Sequence, residues 1–349
     1  MESGHPLLAL CCPDKFRGTL TAPAAAAAMG RGLLEAGIEE VRELPLADGG
    51  EGTLDALVAA LGGERRSAWV TGPAGDPVSA VWGLLPTGAA VIEMAQASGL
   101  ALVGDANEPV TATTRGTGEL IGIAARAGAS EIIVGVGGSA TVDGGLGALE
   151  ALGWSLDGLT VTVACDVRTP FLDAARIYGP QKGAGPQEVE LLTRRLAEQA
   201  ELYRVRTGVD VRRLPGAGAA GGLAGGLAAI GAVLRPGFDV VADAVGFREA
   251  LALADLVVTG EGRLDATSLA GKVVGRVLSA AATAGVRFCA VIAGQVADDV
   301  LGSLPCEPEV LSLTDRAASP SEARPRAGAL VQEAAWEVGD RARRKLARR

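Results

Sequence analysis

Three apolar, strand-like runs in this chain end in glycine-rich segments that each carry a carboxylate, and this recurrence constrains the fold most. VRELPLA leads into ADGGEGT with Asp48 and Glu51, EIIVGV into GGSATVDGG with Asp143, and DLVV into TGEGRLD with Glu261 and Asp265. Behind ADGGEGT, Leu54, Leu57, Val58 and Leu61 recur at helical spacing. Strand, loop and helix in repetition predict a parallel sheet. Glycine lets backbone amides come close to an anion, and a carboxylate in the same loop can hold a divalent metal or accept a proton. Phosphoryl transfer needs both.

The rest of the chain extends this pattern. PLLALCC (6–12) reads as a buried strand, followed by a PDK loop and a helix over 23–35. SAWVTG, VSAVWGLL and AAVIEMA, separated by GPAGDP and PTG, read as an antiparallel meander with Trp69 and Trp82 in the core. A helix over 118–127, the EIIVGV strand (131–136), a helix ending at Gly153, the TVTVACD strand (160–166) and an amphipathic helix over 187–204 follow. From about Ala250 the parallel pattern returns: DLVVTGEG (255–262), a helix over 268–284, VRFCAVIAG (286–294), EVLSLT (309–314) and a last helix, with 316–326 loosely ordered. The fold class is α/β with two domains. Residues 1–66 and 250–349 form a Rossmann-like parallel domain, and 67–249 form an inserted mixed α/β domain. Ligands of such sheets bind beyond the carboxyl ends of the strands, where Asp14, Asp48, Asp166 and Glu261 fall, so the site is expected in the cleft between domains.

Composition narrows the function. A net charge of −9 leaves no basic stripe for nucleic acid. The one basic cluster, Arg341–Arg349, reads as a solvated helix end complementing the helix dipole. No basic region with a long apolar run opens the chain, so a cytoplasmic protein is expected. The stretch Gly216–Leu234 has the length of a membrane span but is mostly glycine and alanine, and reads as a loop and a packed helix. The five cysteines form no CxxC pair and read as buried, reduced thiols. The single histidine, His5, lies near the start, which leaves acid–base work to Asp, Glu or Lys. Only four of the 32 basic residues are lysine, and three of them, Lys15, Lys182 and Lys272, sit in glycine-bearing loops. A compact ammonium there suits a phosphate oxygen or a carboxylate.

No Walker A or protein-kinase motif set is present. GAGAAGG matches GxGxxG through Gly216, Gly218 and Gly221, but a dinucleotide fingerprint needs a strand just before it, and VDVRRLP is a poor one. For Asp48, Glu51 and Asp143, turn and N-cap duty compete with ligand binding. Glu261, Arg263 and Asp265 read equally as an internal ion-pair cluster. Asp166, straight after TVTVAC, reads as functional, because an unpaired buried carboxylate is costly.

PDKFRGTL, PLADGGEGT, TGPAGDPV, IEMAQASGL, TTRGTGELI, IIVGVGGSATVDGG, ACDV, GPQKGA, PGAGAAGGL and TGEGRLDATSLAGK, in this order, resemble the bacterial type I glycerate kinase family over nearly the whole chain. The resemblance implies phosphorylation of D-glycerate to 2-phosphoglycerate, dependent on ATP and Mg²⁺, by a monomer or homodimer. Three departures stand out: only WSLDGL precedes the TVTVACD strand where relatives carry a longer segment, 170–176 is shortened, and Arg17 stands where lysine is common. Chemistry and motif position then suggest the roles. Asp166 would be the base facing the substrate hydroxyl, with Lys15 and Lys182 on phosphate or carboxylate. Asp48 and Glu51 would form the Mg²⁺ shell, and Gly137, Gly138 and Ser139 an anion nest. Glu261, Arg263, Asp265 and Lys272 would line the cofactor side. Two other readings are a nicotinamide-dependent hydroxy-acid oxidoreductase using GAGAAGG and an inactive metabolite-binding homologue.

Overall fold

The computed structural model describes residues 5–269, 271–317 and 319–347. Eleven strands occur among these: β1 (Leu8–Cys11), β2 (Glu40–Glu43), β3 (Glu64–Thr71), β4 (Pro77–Leu84), β5 (Ala90–Glu93), β6 (Glu131–Gly135), β7 (Thr160–Ala164), β8 (Val233–Arg235), β9 (Leu256–Leu264), β10 (Phe288–Val296) and β11 (Glu309–Ser312). They form two sheets, and the chain divides into two compact units. The first unit is Met1–Ala47, Asp55–Ala60 and Val241–Arg349; the second is Asp48–Leu54 and Leu61–Val240.

The first unit holds a five-stranded sheet in the order β2-β1-β9-β10-β11, parallel throughout. From β1 the chain moves to β2 on one side, and from β9 it moves to β10 and β11 on the other. The switch point therefore lies between β1 and β9, where a ligand crevice opens in sheets of this order. The helix Ala22–Glu35 and the C-terminal helix Ala327–Leu346 pack together over buried Met29, Leu33, Leu330, Val331 and Val338. Small residues set their approach: a Cβ on Gly32 would come 2.2 Å from the Gln332 carbonyl oxygen and 2.9 Å from the Ala335 Cβ. Gly32→Val should therefore lower stability by about 3 kcal/mol, since the partner atom is backbone and cannot rotate away. A urea midpoint equal to that of the parent would contradict this packing.

The second unit holds a six-stranded sheet in the order β3-β4-β5-β6-β7-β8. The meander is present, with β3/β4 and β4/β5 antiparallel, but β5 then pairs in parallel with β6 and joins it to the parallel half. Glu93, Gly135, Ala164 and Arg235 stand in one register row at the carboxyl edge of β5–β8. This unit has its own core, built on Ile92, Leu120, Val134, Val163, Phe171, Leu196 and Tyr203. The amphipathic helix runs Pro186–Thr207 and buries Leu192, Leu196 and Tyr203, as its stripe predicts.

Several expectations are corrected. Trp82 is buried, but Trp69 is 74% exposed because it lies opposite Ser79 on the solvent face of β3 and β4, the face away from buried Val70, Ala80 and Trp82. The segment read as one helix over 268–284 is two, Ala266–Leu269 and Val273–Ala284, with Lys272 in extended backbone between them and Ala270 outside the described residues. TGEGRLD is not a loop at Glu261: β9 continues to Leu264 because β10 pairs with it as far as Val296. The stretch 316–326 forms short helical turns at Thr314–Arg316, Pro320–Ala323 and Arg324–Arg326. Cys11, Cys12 and Cys289 are buried, Cys165 is half-buried and Cys306 is exposed. Of the basic tail, Arg341–Leu346 belong to the last helix, and Arg348 and Arg349 lie outside the described residues. Gly216–Leu234 becomes a turn, the helix Leu223–Ala229 and the start of β8. No helix among the described residues is long and apolar enough to cross a membrane.

Candidate active site

In the second unit, the loops after β6 and β7 project beyond the carboxyl edge of the sheet. Between them lies a pocket of about 390 Å³ lined by Asp48, Gly137, Gly138, Ser139, Asp166 and Lys182, with Tyr178, Gln181 and Ala220 completing its wall. Glycine makes this closeness possible. The Asp48–Gly50 turn lies against the ends of β6 and β7: a Cβ on Gly49 would meet the Ala164 carbonyl oxygen at 2.8 Å, and one on Gly137 would meet the Gly50 Cα at 2.7 Å. Asp48 Oδ1 accepts the Gly50 N–H at 3.1 Å, so turn duty accounts for one of its oxygens.

The loop after β6 is held by main chain. Leu100 N–H donates to the Gly138 oxygen at 2.8 Å, and Ala140 N–H donates to the Ser98 oxygen at 2.9 Å. The N–H groups of Gly137, Gly138 and Ser139 donate to no group among the described residues, which leaves three successive donors at the pocket for water or an anion.

Lys182 is the principal charge of this pocket. It sits in the turn Pro180–Lys182 and is only 3% exposed. Its Nζ donates to Ser139 Oγ and to the Thr141 carbonyl oxygen, both at 2.7 Å. Asn107 Nδ2 holds the Lys182 carbonyl oxygen at 2.8 Å and the Ala140 carbonyl oxygen at 3.0 Å. Burial pulls the Lys182 pKa down to about 7, against the opposing pull of the Asp143 charge. An anion entering the pocket would restore the positive form.

Asp143 does structural work. Its carboxylate accepts from Thr114 N–H at 2.8 Å, Thr114 Oγ1 at 2.7 Å, Gly145 N–H at 3.1 Å and Gly147 N–H at 3.3 Å. Burial raises its pKa, and the bonds from Thr114 oppose that. Asp166 differs from expectation in its surroundings: it is exposed, so the cost of a buried carboxylate does not apply. Its Oδ1 accepts the Gly237 N–H at 2.8 Å, capping the helix Gly237–Ala244.

A second pocket of about 720 Å³ shares Leu100, Gly138, Gln181 and Lys182 with the first and adds Glu51, Glu93 and Asn107. Glu93 is 4% exposed at the end of β5, and its Oε1 accepts the Leu54 N–H at 2.9 Å. Sequence reasoning passed over Glu93 and Asn107; the one signal was an acid inside the apolar run AAVIEMA.

The remaining expected residues lie in the first unit. Asp14 N–H donates to the Gly260 oxygen at 2.8 Å, which sets Asp14 and Lys15 beside β9 at the switch point. Glu261, 7% exposed, keeps one carboxylate oxygen without a hydrogen-bond partner. Burial pushes its pKa up to about 7, a bond from Ser268 opposes this, and the Asp14 charge adds to it. Asp265 caps the short helix Ala266–Leu269 through the Thr267 N–H at 2.9 Å and lies 3.5 Å from the exposed Arg263, so the ion-pair reading holds for that pair. Lys272 Nζ donates to Thr267 Oγ1 at 3.0 Å. Among the described residues no three His, Cys, Asp or Glu side chains gather to hold a metal ion. The GAGAAGG segment follows the turn Val211–Arg213 rather than a strand, so the dinucleotide-fingerprint context is missing there.

Parallel strands delivering glycine amides, a buried lysine and acids to one pocket define an α/β enzyme with a small-molecule site. The model of the glycerate kinase family matches residues 9–157 and 155–343, and the chain belongs to that family. It is 42% identical over 298 residues to the glycerate 2-kinase of Escherichia coli (strain K12), covering 75% of this chain and 78% of that protein. It is 42% identical over 300 residues to the glycerate kinase of Bacillus subtilis (strain 168), with the same two coverages. A solved structure of a candidate glycerate kinase 2 from Salmonella typhimurium LT2 matches with a TM-score of 0.85 and 35% identity over 98% of this chain and 100% of that one. The two stretches of the family match meet at 155–157, within the WSLDGL loop. Trp154 opens that loop in left-handed backbone (φ 64°), with the Arg206 guanidinium 4.1 Å from its ring centroid.

Proposed function

We propose that this protein transfers the γ-phosphoryl group of ATP to a hydroxyl of D-glycerate, giving 2-phosphoglycerate and ADP. The observation that carries this reading is the buried Lys182 beside three successive amides that donate to no group among the described residues, in a pocket of a glycerate kinase family member. The name of the Escherichia coli relative, glycerate 2-kinase, supports the product.

The residues suggest how the transfer is assisted. Lys182 and the amides of Gly137, Gly138 and Ser139 neutralise and orient anionic groups. Asp166 accepts the proton of the attacking hydroxyl as the new O–P bond forms and the bond to the β-phosphate oxygen breaks. Magnesium commonly takes one or two carboxylates together with substrate phosphates, so Asp48, with Glu51, fits as its protein share without a three-acid cage. Bound there, the ion would screen charge on the phosphates. Lys15, Glu261, Arg263, Asp265 and Lys272 of the first unit are retained as candidate cofactor contacts. No observation favours the oxidoreductase reading.

The test is ADP release from Mg-ATP by purified protein with D-glycerate, with L-glycerate as control. Stereoselective release is the expected result. No release from protein with a native circular-dichroism spectrum would overturn the substrate and leave a non-catalytic binder to be considered.

A further inference from the structure

We propose that Cys289 and Cys306 are a site of reversible oxidation, at which a peroxide oxidises the Cys306 sulfur and Cys289 resolves it into an intramolecular disulfide. Both residues belong to the first unit, and neither lines a pocket of the candidate active site.

Sheet register brings the two thiols together. β10 and β11 are parallel neighbours whose first pair is Ala290 with Glu309, so Cys289 stands just before that pair and Cys306 lies in the turn that leads into β11. Adjacent strands are about 4.8 Å apart, within reach of two short side chains. β10 turns Phe288, Ala290 and Ile292 into the core shared with the helices Ala22–Glu35 and Ala327–Leu346, so Cys289 alternates to the opposite face. The helix Val273–Ala284 packs on β9 and β10 and gives no residue to that core. Cys306 Sγ lies 3.7 Å from the carbonyl oxygen of its Leu278, on the side to which Cys289 points, and the two thiols hydrogen-bond each other there. The turn is strained: Cys306 and Glu307 both hold left-handed backbone (φ 57° and 43°), which residues other than glycine rarely adopt.

The surroundings give the two sulfurs different roles. Of the five cysteines Cys306 alone is exposed, whereas Cys289 is 7% exposed. The hydrogen bond from the Cys289 thiol holds Cys306 below the usual thiol range against the opposing effect of burial, and the same bond with burial pushes Cys289 up. The thiolate is the nucleophile, so Cys306 reacts first. Burial raises Cys11 and Cys12, and it pushes Cys165 up to about 11. In the first step the Cys306 sulfur attacks one oxygen of hydrogen peroxide: an S–O bond forms, the O–O bond breaks, and hydroxide leaves and takes up a proton as water. In the second, Cys289 gives up its proton and its sulfur attacks the Cys306 sulfenic acid: the S–S bond forms, the S–O bond breaks, and the hydroxyl leaves as a second water. The two thiols lose two electrons and two protons, and the peroxide is reduced to water.

The test treats the purified protein with hydrogen peroxide, alkylates the remaining thiols and digests without reductant for mass spectrometry. The parent should yield a linked peptide pair joining Cys289 to Cys306, about 2 Da lighter than the two thiol peptides together and abolished by dithiothreitol. Cys306→Ser, a change at an exposed position, should yield no linked pair. Cys289→Ala should leave Cys306 as a sulfenic acid that dimedone labels, while the parent shows the disulfide in place of that label. Cys289 is buried, so if Cys289→Ala fails to fold, the parent and Cys306→Ser decide the matter between them. A parent that carries dimedone on Cys306 and forms no disulfide overturns the pairing. So does a disulfide through Cys165, or a Cys306 that is still a free thiol once Cys165 has been oxidised.

Discussion

Lys182→Met should lower kcat/KM for D-glycerate by about 10²–10³-fold, the loss typical of removing one preorganised donor from a site where charge develops. Methionine keeps the unbranched apolar stem of lysine as far as Cε, so most of the buried channel stays filled, and what disappears is the ammonium with its bonds to Ser139 and Thr141. The parent enzyme should also show a pH signature. With Lys182 at a pKa of about 7 in the free protein, the charged form that receives an anion is lost as pH rises through 7. The limiting slope of log kcat/KM above that point should be −1, about tenfold per pH unit. Once the anion is bound, its charge raises the lysine pKa again, so kcat itself should be flatter. The surroundings of Nζ bear on this: Asp143 pulls the pKa up through space, and the Tyr178 ring centroid lies 5.9 Å away. A profile flat from pH 6 to 9, or a Lys182→Met variant with parental turnover, would remove the lysine from anion recognition.

Asp166→Asn should cut kcat at least a hundredfold, within the range general-base catalysis supplies, while the fold stays intact. The amide oxygen of asparagine can still accept the Gly237 N–H that Asp166 holds at 2.8 Å, so the cap survives while the proton acceptor is lost. Thermal midpoints of parent and variant should therefore agree within a few degrees. Near-normal turnover would reduce Asp166 to a helix cap. The exposure of Asp166 strengthens this test, because changing a solvated carboxylate to an amide carries little folding cost.

Part of the candidate site was legible before any fold. The three lysines stood out against an arginine-rich background, and two of the three glycine–acid segments, ADGGEGT and GGSATVDGG, marked loops beyond strands without a partner strand being known. What their side chains meet was not legible. Lys182 and Asp166 are both polar residues in loops after apolar runs, yet one is almost wholly buried and the other exposed. That difference depends on which loops converge, and convergence is a matter of sheet order. Glu93 escaped notice because a single acid in an apolar run reads as a strand residue; a helix start that brings the Leu54 N–H to its carboxylate helps to offset its burial.

The sequence by itself determined the α/β class, the alternation of strands with helices, the family, and the set of loops from which a site could be built. Periodicity and glycine placement are local properties, and each residue carries them wherever it ends up. Tertiary structure decided the pairing and the exposure. Partnering with β10 turned the glycine-flanked Glu261 from a loop acid into a buried strand acid with an orphaned oxygen, and the choice of which face of β3 and β4 meets the core left Trp69 in solvent. Burial and pKa depend on atoms distant in the chain, so no window of sequence contains them; they appear only when the sheets assemble.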